Sequence, residues 1–106
     1  MIIPNIIVGK DRYGHKLYCG DVCKFKINLQ RKNGTEALTM KGMIIYDEDS
    51  YAYAFETLDD NAPLLCMYCA EYGTIEKLFE ANSDNFNNIP DGCKWKDIYN
   101  NNVKIN

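Results

Sequence analysis

The sequence predicts a mainly β domain: a small β-barrel with one short α-helix near its C-terminal third. Three observations lead to this prediction. Residues 23–30 alternate strictly between apolar and polar side chains, which is the period of a half-buried strand. Turn-forming dipeptides recur at short intervals on both sides of that segment. The 106 residues, 46% hydrophobic and 25% charged, suit one domain over residues 1–106 with a single modest core.

The N-terminal part is predicted to be extended and then to turn twice. Residues 1–10 are an apolar segment that suits a short edge strand, because Pro4 cannot donate to a central ladder. Tyr13-Gly14 and Cys19-Gly20-Asp21 predict turns, since glycine tolerates positive φ and aspartate bonds to nearby backbone amides.

A meander of three strands follows. The alternating strand is Cys23–Gln30, and Asn33-Gly34 predicts the hairpin that leads to a second strand over about 38–46. Gly42 is a candidate β-bulge in that strand. A third strand is expected over about 51–58. The residues expected in the core are Phe25, Ile27, Ile45, Phe55 and Trp95, with Cys23 pointing inward beside them.

The C-terminal part has a less regular pattern of apolar and polar residues. The apolar segment 64–72 is expected to begin as a strand, and Gly73-Thr74 offers an N-cap for a short helix over 75–81. Residues 82–92 have a loop composition, and 94–99 are expected to form the last strand. The Asn-rich tail over 100–106 is expected to be frayed.

Charge is unevenly distributed along the chain. Residues 1–45 carry eight Lys/Arg against three Asp/Glu, a net charge of +5, whereas residues 46–106 have a net charge of −8. The two halves can neutralise each other in a folded domain, but a basic face is also typical of nucleic-acid binding. Tyr51 or Tyr53 would then stack on bases. The candidate binding residues are Lys24, Lys26, Arg31, Lys32 and Lys41.

The cysteines favour a reduced, cytoplasmic protein. Five is an odd number, which fits free thiols better than a disulfide framework. A zinc-stabilised alternative would combine the Cys66-x-x-Cys69 pair with Cys19 and Cys23. The apolar flanks of the first pair and the inward phase of Cys23 favour buried thiols and no metal. No secretory signal or membrane-spanning apolar run is present, so no membrane association is expected.

No catalytic constellation is visible in the sequence. His15, the sole histidine, lies in a charged turn, and the acidic clusters at 47–49 and 59–60 fall in predicted turns. No phosphate-binding glycine loop is present. We therefore expect a protein that is not an enzyme and needs no cofactor.

Several motifs resemble known families. Gly20-Asp21-x-Cys23-Lys24-Phe25 is similar to the start of an SH3-like barrel strand, as in the KOW modules of translation and transcription factors. The chain also resembles YopX-like phage and prophage proteins. The motifs that carry this second resemblance are Asp11-x-x-Gly14-x-x-Leu17-Tyr18-x-Gly20-Asp21-Val22, Lys41-Gly42-Met43-Ile44-Ile45-Tyr46-Asp47 and Trp95-Lys96-Asp97-Ile98-Tyr99-Asn100-Asn101.

The resemblance covers most of residues 9–101 in the expected order, although Cys19, Cys23 and Trp95 depart from the family pattern. It implies a β-barrel domain of phage, prophage or other mobile-element origin with no established activity. With the Gly20–Phe25 motif, we expect this barrel to be SH3-like. The function expected first is a binding module for a protein partner, or for self-association. The alternatives are a nucleic-acid-binding module that uses the basic N-terminal half and a zinc-stabilised module.

Overall fold

The protein is mainly β, as the sequence predicts, and its described residues form two antiparallel sheets and one short α-helix. The computed structural model describes residues 6–58, 65–67, 70, 72–80 and 92–102. The strands are β1 (Ile7–Lys10), β2 (Lys16–Tyr18), β3 (Val22–Arg31), β4 (Gly34–Asp47), β5 (Ala52–Thr57), β6 (Leu65–Cys66) and β7 (Glu76–Phe79). A 3-10 helix, Tyr72–Thr74, precedes β7, and α1 is Lys94–Asn102. Over the described ranges, no helix has the length and apolarity to cross a bilayer.

The larger sheet has a Greek-key order. Strands β1 and β2 form a two-stranded sheet, and the other strands are ordered β6-β5-β4-β3-β7. Strands β3, β4 and β5 are consecutive antiparallel neighbours, and β7 returns along the chain to pair with β3 on the opposite side from β4. The meander predicted from the alternating segment is therefore confirmed, and a returning strand extends it.

The five-stranded sheet is strongly curled. Cys66 pairs with Ala54 on the outer edge of β5, and Ala70 bridges to Ile27 on the outer edge of β3. In a flat sheet these two positions would be four strand spacings apart, about 19 Å. Four residues of chain reach at most about 14 Å, so the edges must bend toward each other. Among the described residues no pairing closes the sheet into a complete barrel.

Gly42 permits this curl, and the bulge predicted there is wrong. The β3–β4 register runs without a shift from Val22↔Met43 to Arg31↔Gly34. A Cβ at position 42 would lie 2.8 Å from Cβ of Phe55 and 3.3 Å from Cε1 of Phe25. The missing side chain lets these two rings stack over the backbone of β4, with centroids 4.0 Å apart and planes 17° apart.

All five residues predicted to form the core are buried, and so is Cys23. They fall into two clusters. The aromatic cluster lies under the curled sheet and contains Leu17, Cys23, Phe25, Ile27, Ile44, Phe55, Ala70 and Ile75. The α1 cluster contains Cys19, Val22, Met43, Ile45 and Trp95. The middle of the sheet is therefore covered by apolar side chains on both faces.

The helix predicted over 75–81 is wrong, because Glu76–Phe79 is strand β7. A segment of four residues fits both the helical and the strand period, so its hydrogen-bond partners decide which structure it adopts. Backbone pairing of Lys77 with Cys23 and of Glu76 with Lys24 satisfies the edge of β3. In addition, the backbone N–H of Lys77 donates to the carboxylate of Asp11 at 3.1 Å.

The last strand predicted over 94–99 is also wrong, because this segment forms helix α1. Trp95 and Ile98 are three residues apart, which places both on the helix face that packs against the α1 cluster. The indole N–H of Trp95 donates to the carbonyl of Glu56 at 2.8 Å. The helix continues to Asn102, into the predicted tail; residues 81–91 of the predicted helix and loop, and tail residues 103–106, lie outside the described ranges.

We expect Gly42→Ala to destabilise the fold by about 1–3 kcal/mol, since the new methyl group overlaps Phe55 and must displace the ring stack. Urea denaturation followed by Trp95 fluorescence measures this. The matched control is Gly73→Ala, where nothing lies within 4 Å of the added Cβ. Equal denaturation midpoints for the two variants would contradict the assigned role of Gly42.

Candidate functional site

The first turn is built around the buried carboxylate of Asp11. Its Oδ1 accepts the backbone N–H groups of Tyr13 at 3.0 Å and His15 at 2.8 Å, and its Oδ2 lies 3.1 Å from Nδ1 of His15. Burial raises the pKa of Asp11, but the hydrogen bond from the backbone of Lys77, followed by those from His15 and Tyr13, outweighs it and lowers the pKa to about 2. Asp11 is therefore an ionised structural residue.

The second turn has a buried carboxylate of its own. Asp21 accepts the backbone N–H of Tyr18 at 2.9 Å, and its Oδ2 lies 3.4 Å from Nζ of Lys77. The backbone carbonyl of Asp21 also accepts the N–H of Ile44 at 2.9 Å. Burial, followed by the charge of Asp21, raises the pKa of the Cys23 thiol far above its usual range. Cys23 is thus a protonated core thiol and not a nucleophile.

The predicted nucleic-acid-binding residues lie together on the β3–β4 hairpin. We name residues 24–41 the basic ribbon. It carries five Lys/Arg and one carboxylate, Glu36, for a net charge of +4. Lys24 pairs directly with Lys41, so these two side chains and that of Lys26 share one face. Arg31 and Lys32 lie at the exposed tip.

Two of these cations are neutralised within the protein and three are not. Nζ of Lys24 lies 3.6 Å from a carboxylate oxygen of Glu76, and Arg31 forms an ion pair with Glu36. Within the described ranges, no carboxylate lies at ion-pair distance from the other three, which are Lys26, Lys32 and Lys41. The ribbon therefore exposes uncompensated positive charge along its length.

A second concave surface lies between the β1–β2 hairpin and the sheet. It has a volume of about 340 Å³. We name it the tyrosine groove because three tyrosine rings line it, and two of them, Tyr46 and Tyr53, meet edge to face at 5.4 Å. Burial, followed by the nearby Cys19 and Tyr46, raises the pKa of Tyr53. The lining residues are Val8, Gly9, Lys10, Leu17, Tyr46, Tyr51, Ala52, Tyr53, Met67 and Ile75.

Tyr51 stands at the rim of this groove in a strained conformation. Its φ is +55°, the left-handed region that favours glycine or asparagine, and 83% of the residue is exposed. It ends the β4–β5 turn, in which Asp47 accepts hydrogen bonds from the N–H of Asp49 and the hydroxyl of Ser50. Of the two tyrosines considered for stacking on bases, Tyr51 is therefore exposed and Tyr53 is half-buried.

Sequence reasoning missed the cations on the opposite rim of the groove. Lys10 lines the groove and pairs with Lys16 across the β1–β2 hairpin, and Arg12 lies over the Tyr13 ring at 5.3 Å. The one carboxylate of this hairpin is that of Asp11, which is buried and hydrogen-bonded. The available signal was the three cations Lys10, Arg12 and Lys16 within seven residues, which count in the basic N-terminal half but were not assigned to a site.

The cysteines considered for a zinc site are not all brought together. Cys19 packs in the α1 cluster, where its Sγ lies 3.5 Å from the carbonyl of Ile44, and Cys23 packs in the aromatic cluster. Cys66 is half-buried on β6, and Cys69 lies outside the described residues. In the part of the chain that is described, no three His, Cys, Asp or Glu side chains could hold one metal ion.

Comparison of the chain with protein-family models, with curated proteins and with solved structures found no match.

We expect Asp11→Asn to lower the free energy of unfolding at about pH 7 by about 2 kcal/mol, because several charge-assisted hydrogen bonds are weakened. The folded pKa of about 2 lies below the ordinary value of 3.8, so the carboxylate stabilises the fold above about pH 4. This stabilisation is lost as pH falls toward about 2, and the difference between wild type and variant should shrink over that range. Urea titrations at several pH values measure it.

The control for this experiment is Asp49→Asn, whose side chain is exposed at the β4–β5 turn. We expect it to track the wild-type protein at every pH. A gap between wild type and Asp11→Asn that stays constant from about pH 5 to about pH 2 would contradict the assigned ionisation of Asp11.

Proposed function

We propose that this protein is a non-enzymatic binding module that contacts nucleic acid through the basic ribbon. The observation that carries the proposal is the net charge of +4 on one exposed hairpin, with three lysines that no described carboxylate neutralises. Phosphate contacts by Lys and Arg supply most of the affinity of sequence-independent nucleic-acid binding. The overall charge of −3 does not oppose this, because the acidic residues are concentrated after residue 45.

The form of the ribbon supports the same function. A two-stranded antiparallel ribbon is narrow enough to enter the major groove of a duplex, and its tip carries Arg31 and Lys32 as exposed side chains. The backbone N–H of Lys26 donates to the hydroxyl of Thr74 at 3.0 Å, which fastens the base of the ribbon to the 3-10 helix. The lysines are therefore presented on a rigid element.

We further infer an SH3-like barrel of the YopX-like phage or prophage type, acting in the cytoplasm. The strong curl, the meander β3-β4-β5 and a 3-10 helix directly before the returning strand support an SH3-like arrangement. The motif from Asp11 to Val22 is one of the three that carry the resemblance, and its two aspartates are buried structural residues. The free thiols of Cys19, Cys23, Cys66 and Cys93 support a reducing compartment.

We expect the triple variant Lys26→Gln, Lys32→Gln and Lys41→Gln to weaken binding to a fluorescein-labelled DNA duplex by about tenfold or more at low salt. Removing phosphate contacts should also flatten the dependence of log Kd on log salt concentration, by about one unit per lysine. Fluorescence anisotropy at several salt concentrations measures both quantities.

Two further variants sharpen this test. Lys96→Gln on α1 removes one positive charge outside the ribbon and should leave the salt slope unchanged. The double variant Lys24→Gln and Arg31→Gln should have a smaller effect than the triple variant, because Glu76 and Glu36 already neutralise these two cations. If the triple variant bound the duplex like the wild type, the proposed function would be wrong.

A second candidate function is the binding of a protein partner or a second copy of the chain. The observation that favours it is the apolar exposure at the start of β1, where Ile7 is 51% exposed and the preceding Ile6 is 41% exposed. Among the described strands, β1 pairs only with β2, so its other edge can accept an added strand.

Such an association would bury apolar surface and main-chain groups and should persist at about 1 M salt, where phosphate contacts are lost. Light scattering at low and high salt, alone and with candidate partners, tests it. A monomer under both conditions that retains no partner would exclude it. Ile7→Lys, which adds charge to the edge, should abolish any association that is found, whereas Tyr13→Lys in the adjacent turn should not.

A further inference from the structure

We infer that the tyrosine groove is the site for an unpaired nucleobase, with Lys10 holding the phosphate beside it, so that the protein prefers single strands. The inference rests on the proposed function, since it names the form of nucleic acid bound and a second point of contact. The groove and the basic ribbon are separate surfaces, which allows each to be tested without the other.

The dimensions and lining of the groove suit a flat aromatic ring. Its volume of about 340 Å³ lies at the small end of the range for ligand sites, and apolar and aromatic side chains make up most of its wall. Single-strand-binding proteins use such aromatic faces to stack bases without sequence preference. Among the described residues that line the groove, Lys10 is the one with a charged side chain, and it would attract an anion.

Charge at the two rims would orient the ligand. Lys10 and its cross-strand neighbour Lys16 stand on the β1–β2 side. The acidic residues 47–49 lie at the β4–β5 turn, between the lining residues Tyr46 and Tyr51. A nucleotide would therefore place its phosphate toward Lys10 and its base toward the tyrosines. An uncharged aromatic ligand would gain nothing from this polarity.

The conformation of Tyr51 is a separate observation that points to a ligand. Glycine or asparagine would occupy the left-handed φ of +55° at lower cost, and the exposed ring makes no stacking contact with another ring among the described residues. Neither the turn nor the core therefore accounts for a tyrosine here. A base that stacks on the ring would give it a role.

A single strand can reach both surfaces and a duplex cannot. Lys41 of the ribbon and Tyr46 of the groove lie on β4, five residues and therefore about 17 Å apart, and alternation places them on opposite faces. A flexible strand of about twelve nucleotides can bend around the sheet between them. A duplex of that length is stiff and keeps its bases stacked inside.

Three labelled probes of about twelve nucleotides test the inference: an oligothymidylate, a strand of the same length made only of abasic sites, and a duplex. In fluorescence anisotropy we expect the oligothymidylate to bind about tenfold more tightly than the abasic strand. Tyr51→Ala should remove that difference and leave binding of the abasic strand and the duplex unchanged. Lys10→Gln should weaken binding of the oligothymidylate more than binding of the abasic strand, because no seated base holds a phosphate of the abasic strand beside Lys10. The control is Tyr13→Ala, an exposed aromatic outside the groove, which should bind all three probes like the wild type.

The outcomes separate the two proposals. Equal affinity for the oligothymidylate and the abasic strand, or no effect of Tyr51→Ala on their difference, would overturn the groove inference while leaving the ribbon proposal intact. If the ribbon triple variant bound all probes like the wild type, the proposed function would fail instead. The groove inference would also be overturned if an acidic tyrosine-containing peptide bound the wild-type protein more tightly than the oligothymidylate did and no longer bound the Tyr51→Ala variant.

Discussion

Lys77 is the residue on which the arrangement of this fold depends. Its backbone N–H bonds to the carboxylate of Asp11 and its ammonium group lies 3.4 Å from the carboxylate of Asp21, while its own strand pairs with β3. The Lys77 side chain is only 10% exposed, and both carboxylates are buried. A buried charge that loses its partner is costly, commonly about 3–5 kcal/mol. The two aspartates and the lysine therefore position one another.

Both candidate surfaces take their position from this contact. The basic ribbon starts at Lys24, directly after the residue that pairs with Lys77. The β1–β2 wall of the tyrosine groove is held against the sheet by Asp11 and by the N–H of Arg12, which donates to the carbonyl of Ile75 at 2.7 Å. The glycines at 14 and 20, with φ of +84° and +97°, let the chain turn tightly enough to point both aspartates inward. The motif from Asp11 to Val22 is thus a structural frame that positions the two binding surfaces.

The parts of the structure that sequence predicts are those whose pattern is local and long. Eight residues of strict alternation leave β3 one interpretation, and they place its lysines on one face. Strand β7, with four residues, is too short for this, and in α1 the spacing of Trp95 and Ile98 alone does not define a period. Their type is set by what they contact, namely the carboxylate of Asp11 for β7 and the carbonyl of Glu56 for α1. The groove could not be predicted because its wall comes from distant segments of the chain. Nothing in the spacing of Lys10 and Tyr51 indicates that both line one groove.

The long sequence separation of the Lys77 contact also has a consequence for how the chain folds. The β3–β4 hairpin closes through the two residues between Arg31 and Gly34, so it can form within microseconds. The bond from Lys77 to Asp11 joins residues 66 positions apart, and the chain must lose the entropy of that large loop first. Before β7 docks, Asp21 can remain hydrated and the edge of β3 stays open. From these separations we expect the basic hairpin to form before the frame that anchors it, and the docking of β7 to complete the domain.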